Sequence, residues 1–316
     1  MCSCKYTGSM DLKQLEYFVR VAELGSFTRA SIALGVAQPA LSRQIRLLEV
    51  ELRQNLLIRN GRGALPTEAG NLLLKHGRGI LHQVEVAREE LGAVRGALAG
   101  RVCIGLPPSL SRLITVALAR AFKQHLPQAC LTLTEGFSVL LHEELRVGRL
   151  DIAVLYNAEH SPDVEMTPLC TEELVLISQK TRLKPVGKAA VQQSCLRLAE
   201  VADLPLVLPS RPNAFRILIE NQMRAIDRKP HIAWEVDSLS AILSLVKEGM
   251  GHAVLPSYTL SHFDHPRPFT VRGIIEPRIK SELMLARAAR RPSTETQKIA
   301  LGVVKSVVSK AVSGYT

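Results

Sequence analysis

The chain has 316 residues but only six cysteines, Cys2, Cys4, Cys103, Cys130, Cys170 and Cys195. They form no Cys-x-x-Cys pair and show no histidine at zinc-site spacing, which excludes a disulfide framework and a zinc module and leaves free thiols. Aromatic residues are scarce, at 4% with one tryptophan, and no stripe of alternating basic and aromatic side chains appears. Long apolar runs are missing as well. The stretch Leu113 to Phe122 is broken by Arg120, well short of the roughly 20 residues that cross a bilayer, so no membrane partner is expected. The N-terminus lacks the basic, apolar and small-residue order of an export signal, which makes the cytoplasm the expected compartment. Also absent are a P-loop, a Gly-x-Gly-x-x-Gly fingerprint and a Gly-x-Ser-x-Gly elbow, so an α/β enzyme is the least favoured reading. His262, Asp264 and His265 lack a third spaced ligand, and neither a metal nor a cofactor is expected.

What remains is a foldable and basic composition. Apolar residues make up 47% and charged residues 22%, with a mean hydropathy of +0.11, enough to build two or three cores. Forty Lys and Arg against 29 Asp and Glu give a net charge of +11 and a pI near 9.6, which draws the chain toward polyanions such as nucleic acid. Residues 1–9 have no periodicity and read as a disordered leader or cloning remnant.

From Asp11 to Leu57 the pattern is helical. Leu12, Leu15, Phe18, Val19 and Ala22 recur at three- and four-residue spacing until Gly25. Ser26 then suits the N-cap of a short helix, Phe27 to Leu34, which Gly35 ends. Pro39 fits the first turn of a third helix whose apolar stripe is Leu41, Ile45, Leu48 and Leu52. The segment Leu57 to Thr67, with Asn60-Gly61 between apolar residues and Arg59 and Arg62 near its tip, reads as a hairpin. Three helices followed by a hairpin describe a winged helix-turn-helix, in which the third helix enters the major groove and the wing lies along the backbone. Its candidate DNA contacts are Ser26, Thr28, Gln38, Pro39, Ser42, Arg43, Arg46, Arg59 and Arg62. Gln suits adenine, Arg suits guanine, and Ser suits either a base or a phosphate.

After Thr67, the positions Leu73, Ile80, Ala87 and Val94, interleaved with Gly77, Val84 and Leu91, repeat every seven residues. Such a seam binds an identical helix, so residues 68–99 read as a dimerisation helix and hinge. From Arg101 onward, short β-rich runs alternate with helices, as in an α/β fold. The expected strands are 102–106, 131–135, 152–156, 174–178, 206–209, 232–236, 253–256 and 282–286.

The segments Met10 to Phe18, Ser26 to Ser31 and Gln38-Pro39-Ala40-Leu41-Ser42-Arg43-Gln44-Ile45-Arg46-Leu47-Leu48-Glu49 closely resemble the DNA-binding domain of LysR-type transcriptional regulators. Pro66 stands where that family usually has leucine. A looser resemblance continues through Gly105 to Ser109, Gly148 to Ala153, Leu208 to Asn213 and Gly249 to Pro256. It implies an α/β effector domain of two periplasmic-binding-protein-like subdomains, with the chain crossing between them near Cys170 and again near Arg267. The expected division is a winged helix-turn-helix at 10–67, the linker at 68–99, subdomain I at 100–170 and 268–316, and subdomain II at 171–267. The resemblance also implies a dimer or tetramer bound to inverted-repeat double-stranded DNA and switched by a small molecule. A solute-binding module without a DNA target is the alternative.

The residues themselves suggest what that molecule is. Ser109 follows two prolines at the start of a helix, and Ser210 to Asn213 repeat the arrangement, so helix dipoles and free amides favour an anion such as a carboxylate or sulfonate. The candidate effector contacts are Ser109, Ser138, Arg211 and Asn213, with Pro108 and Phe137 as apolar wall.

Overall fold

A computed structural model describes residues 10–60, 63–93, 98–180, 195–261, 268–289 and 293–314. The leader, His262, Asp264, His265, Val94 and Arg62 lie outside the described residues. The chain divides into two compact units, the first running to Leu91 and taking in Val147–Arg149, the second made of Gly92–Arg146 and the residues from Leu150 onward.

In the first unit, α1 (Leu12–Leu24), α2 (Phe27–Leu34) and α3 (Gln38–Leu52) close over a core of Phe18, Val21, Ala30, Leu41, Ile45 and Leu48. The local chemistry sets the boundaries. Asp11 caps α1 by accepting from the Gln14 amide at 2.6 Å, and Ser26 caps α2 by accepting from Arg29 at 3.3 Å. Gly35 takes φ 64°, a left-handed conformation that a side chain would oppose, and this turns α2 into α3. Two positions of the expected stripes fall outside the core, because Leu12 and Leu52 lie at helix ends and are exposed.

The wing is β1 (Leu57–Asn60) paired antiparallel with β2 (Gly63–Pro66). Pro66 ends its strand opposite Leu57, a position proline tolerates. The Glu49 carboxylate accepts from the amides of Leu56 and Leu57 at 2.9 and 3.2 Å, tying the root of β1 to α3. At the other strand, Ala64 N donates to Gly25 O at 2.9 Å, which joins β2 to the turn between α1 and α2. Thr67 caps α4 (Glu68–Ala93) through the Gly70 amide and donates to Asn55 O at 2.7 Å.

Along α4, a Cβ on Gly77 would lie 2.9 Å from Leu15 Cδ1 and 3.0 Å from Val19 Cγ2. Gly77 therefore belongs to the packing of α4 on α1 and leaves the heptad seam. Ile80, Ala87 and Leu91 remain exposed.

The second unit is built on a mixed sheet in the order β4-β3-β5-β12-β6-β11-β7, with β10 also pairing β6. The strands are β3 (Ala99–Leu106), β4 (Gln128–Glu135), β5 (Ile152–Tyr156), β6 (Val164–Gln179), β7 (Cys195–Arg197), β10 (Ala253–Pro256), β11 (Phe269–Ile275) and β12 (Lys280–Ala288). A short parallel pair, β8 (Leu206–Leu208) and β9 (Ile232–Glu235), joins this sheet through a bridge from Leu206 to His252. The helices are α5 (Pro108–His125), α6 (Ser138–Val147), α7 (Leu198–Ala202), α8 (Ala214–Arg224), α9 (Leu239–Lys247) and α10 (Glu295–Val312).

All eight expected strands are present. The sequence reading missed β7, β11 and the first half of β6. That half pairs with β12 from Val164 to Glu173, whereas from Leu174 onward β6 pairs with β10 and β11. Because β11 pairs with the later half, the passage back between the two halves falls at 276–279 and not near Arg267, which corrects that expectation. Asp151 explains part of the Gly148 to Ala153 motif. Its carboxylate accepts from Cys103 N at 2.7 Å and from Gln297 Nε2 at 2.8 Å, fastening β3 to α10.

Gly70 gives the sharpest steric test. A Cβ there would lie 2.0 Å from the Leu56 carbonyl oxygen, and backbone cannot give way cheaply. Gly70→Ala is expected to destabilise the N-terminal unit by about 2 kcal/mol or more, read as an earlier unfolding transition in urea. An unchanged transition would contradict this packing of α4 on the wing root.

Candidate DNA-reading helix and effector pocket

On α3 the buried residues Leu41, Ile45 and Leu48 face the core, which turns Gln38, Pro39, Arg43 and Arg46 outward. All four are exposed, and Ser42 is half-buried beside them. Thr28 is exposed on α2, and the Ser26 oxygen is engaged in its cap. The backbone of Arg59 is placed in β1, opposite Ala64, and Arg62 lies outside the described residues. A helix offering one amide and two guanidinium groups along an exposed face, with a two-stranded wing behind it, has the parts for base-edge and phosphate contacts.

In the second unit, the N-terminal residues of four helices line one pocket. Pro107, Pro108 and Ser109 come from α5, Phe137 and Ser138 from α6, Asn213, Ala214 and Phe215 from α8, and Leu239 and Ile242 from α9. Tyr156, Pro209 and Leu255 complete the wall, and no charged side chain is among these residues. The Ser111 amide is the first of α5 to reach a helical acceptor, Pro107 O at 2.8 Å. Since Pro108 has no amide hydrogen, the Ser109 and Leu110 amides precede the helical ladder at the end where the dipole is positive.

The polar lining residues also hold the structure together. Ser138 Oγ accepts from Tyr156 N at 2.8 Å. Asn213 Oδ1 caps α8 by accepting from Phe215 N at 2.9 Å and Arg216 N at 3.2 Å, which leaves its NH2 group as the part it can offer. Ser109 Oγ lies 3.0 Å from Tyr156 Oη.

Five of the six expected effector residues, Pro108, Ser109, Phe137, Ser138 and Asn213, are thus brought together. Arg211 is not. It is exposed and paired with Glu220, away from this wall. The buried cation near α8 is instead Arg216, which pairs with Glu220, meets Glu235 at 3.1 Å and donates to Pro209 O at 3.3 Å.

Sequence reasoning missed Tyr156, Phe215, Leu239, Ile242 and Leu255. Each is an ordinary apolar or aromatic residue on its own element, and only the fold makes them neighbours. Tyr156 and Phe215 rings approach to 4.5 Å between centroids. Behind them lies Glu172, whose carboxyl is pushed up to about 7 by burial against the opposing pull of hydrogen bonds from Tyr258 and Tyr156.

A helix-turn-helix head with a wing, followed by a two-part α/β domain enclosing a pocket, defines a DNA-binding regulator with an effector domain. The comparisons with known proteins agree. The family model described as "LysR substrate binding domain" matches residues 95–306, and that described as "Bacterial regulatory helix-turn-helix protein, lysR family" matches residues 12–71. The chain belongs to the LysR family of transcriptional regulators. It is 32% identical over 302 residues to the nitrogen assimilation regulatory protein Nac of Klebsiella aerogenes, covering 95% of this chain and 96% of that one. To Nac of Escherichia coli K12 it is 33% identical over 306 residues, covering 96% and 97%. Full-length OxyR from Pseudomonas aeruginosa shares the fold with a TM-score of 0.74 at 24% identity, covering 95% of each chain. CbnR bound to its target DNA gives 0.66 at 23%, covering 94% of this chain and 100% of that one. These relatives are transcriptional regulators and not enzymes. Among the described residues, no helix is long and apolar enough to cross a membrane.

Burial of Glu172 gives stability a pH dependence. Its carboxyl is raised from 4.5 to about 7, so the stability it contributes is complete below about pH 4.5 and is lost as the pH rises through about 7, a swing of about 3 kcal/mol. Glu172→Gln is expected to remove that slope, seen as urea midpoints that converge between acidic and alkaline buffer. A slope unchanged in the variant would place the titration elsewhere.

Proposed function

We propose that this regulator binds an inverted-repeat operator through α3 and the wing, and that a small anion, a carboxylate or a sulfonate, switches it from the pocket at the four helix N-termini. The observation that carries the effector class is the pocket wall itself. Its positive potential comes from peptide dipoles and unladdered amides, with hydroxyl and amide groups as supplementary donors, and its other surfaces are apolar. The Ser109 and Leu110 amides, the Ser138 hydroxyl and the Asn213 amide would hold the anion, with Pro108, Phe137 and Phe215 against its carbon skeleton.

On the DNA, Gln38, Pro39, Ser42, Arg43 and Arg46 of α3 would meet base edges and phosphates. Ser26, Thr28, Arg59 and Arg62 would position the head on the backbone. The exposed side of α4, with Leu72, Ile80 and Leu91, would join two chains into a dimer. Two dimers contacting through the effector domains would make the tetramer, so that a ligand favouring one arrangement changes the spacing of the DNA-binding heads. Residues 100–170 with 280–316, and residues 171–275, then act as the two lobes that close on the effector, with promoter DNA placing the protein in the cytoplasm.

The test is footprinting on the DNA flanking the regulator's own gene, with and without small aromatic carboxylates and sulfonates. A protected inverted repeat that shortens or shifts with one compound is expected, and an identical footprint with every anion at saturating concentration would count against the effector class. Arg43→Ala is expected to weaken operator binding by roughly 1 to 3 kcal/mol without altering unfolding, and unchanged affinity would remove Arg43 from the reading face. Ile80→Lys is expected to dissociate dimers in sedimentation, because it places a charge in the proposed seam. A variant that sediments like wild type would move the interface off that face.

A further inference from the structure

Four side chains form a hydrogen-bonded file from the pocket into the interior. Ser109 Oγ is 3.0 Å from Tyr156 Oη, Tyr156 Oη meets Tyr258 Oη, and Tyr258 Oη is 3.2 Å from Glu172 Oε1. They come from α5, the end of β5, the 3₁₀ turn Ser257–Leu260 and β6. All four are buried, the most exposed being Glu172 at 5%. Glu172 Oε2 is also buried and has no hydrogen-bond partner among the described residues.

A file of hydroxyls has a direction, because each oxygen has one proton to give. An ionised Glu172 can only accept. Tyr258 then donates to it, Tyr156 to Tyr258 and Ser109 to Tyr156, and Ser109 shows the pocket lone pairs alone. A protonated Glu172 can donate to Tyr258, every hydroxyl can turn round, and the Ser109 proton becomes available to the pocket. An anion needs that proton and is repelled by the lone pairs.

We propose that Glu172, acting through Tyr258 and Tyr156, sets the direction of the Ser109 hydroxyl and so makes the pocket selective for an anion only when its carboxyl is neutral. Glu172 and Tyr258 are positioning residues outside the pocket lining, whereas Tyr156 relays their state and also forms part of the wall. The inference rests on the anion reading of the pocket given above.

The surroundings of Glu172 are consistent with this role. Cys170, whose thiol is itself raised by burial, lies two residues along β6, and Ser281 stands opposite on β12. At the rim, Glu173 is paired with Arg278 at 2.9 Å, and Lys280 is exposed. The C-terminal helix brings Val312 to the hollow beside Glu172. No cation among the described residues forms an ion pair with Glu172, and burial brings its titration to about 7, where the two directions of the file interchange.

The experiment is calorimetric titration of the full chain with sulfate and with benzoate, each from about pH 5.5 to about pH 8.5. Wild type is expected to bind with an affinity that falls by about ten-fold per pH unit above the midpoint and to take up a proton there. Glu172→Gln keeps a donor at every pH and is expected to give a flat profile. Tyr258→Phe cuts the file and is also expected to be flat, and either variant alone suffices if the other fails to fold. Ser109→Ala is expected to bind weakly at every pH. Wild-type binding with a flat profile overturns the file while leaving the anion pocket standing. A slope that persists in Glu172→Gln also overturns it, moving the titration to another group such as His252. Failure of wild type to bind either probe at any pH overturns the anion pocket and the file together.

Discussion

The effector domain depends on one strand serving two sets of partners. Over its sixteen residues, β6 pairs first with β12 and then, from Leu174, lies between β10 and β11. Both halves of the domain are therefore hydrogen-bonded to a single piece of backbone. The helices whose N-termini form the pocket are distributed across that piece, α5 and α6 on the earlier half and α8 and α9 on the later one. Any change in the angle between the halves has to bend β6 where its partners change, and Glu172 sits at that point. A neutral carboxyl buried beside two tyrosines costs less than an ionised one, so the bend is also the place where proton binding and packing meet.

The reading head was largely legible from sequence because its signals are local. Gly25, Ser26, Gly35 and Pro39 set caps and turns by their own backbone chemistry, and the apolar spacing of α3 decides which side chains face outward. The wing was legible for the same reason, and Pro66 proved compatible with the end of β2. Less visible was the close approach of α4 to α1, which requires glycine at position 77 and can only be seen once Leu15 and Val19 are opposite it.

The effector pocket was legible in part. Ser109, Ser138 and Asn213 stand at helix starts, which the sequence marks, and those starts converge. Arg211 was misleading because its neighbours in sequence suggested a pocket cation, whereas Glu220, in the second turn of α8, draws it outward. The first half of β6 was invisible because Glu165, Thr167, Pro168, Thr171, Glu172 and Glu173 make it read as a polar loop. It is held as a strand by β12, whose register shifts between Leu283 and Met284 opposite Pro168 and Cys170, a bulge that accommodates the missing amide hydrogen. Tyr156, Phe215 and Leu255 had no local signal at all, since their role exists only across elements far apart in the chain.

The four helix starts around the pocket also bear on how such a regulator could change its ligand over evolutionary time. The main-chain dipoles at those starts are present whatever the side chains, whereas size and shape are set by Phe137, Phe215, Leu239 and Ile242. New specificities would arise most readily by repainting those walls. Descendants of this pocket would then differ in the skeleton they accept while keeping the same four helix starts around it.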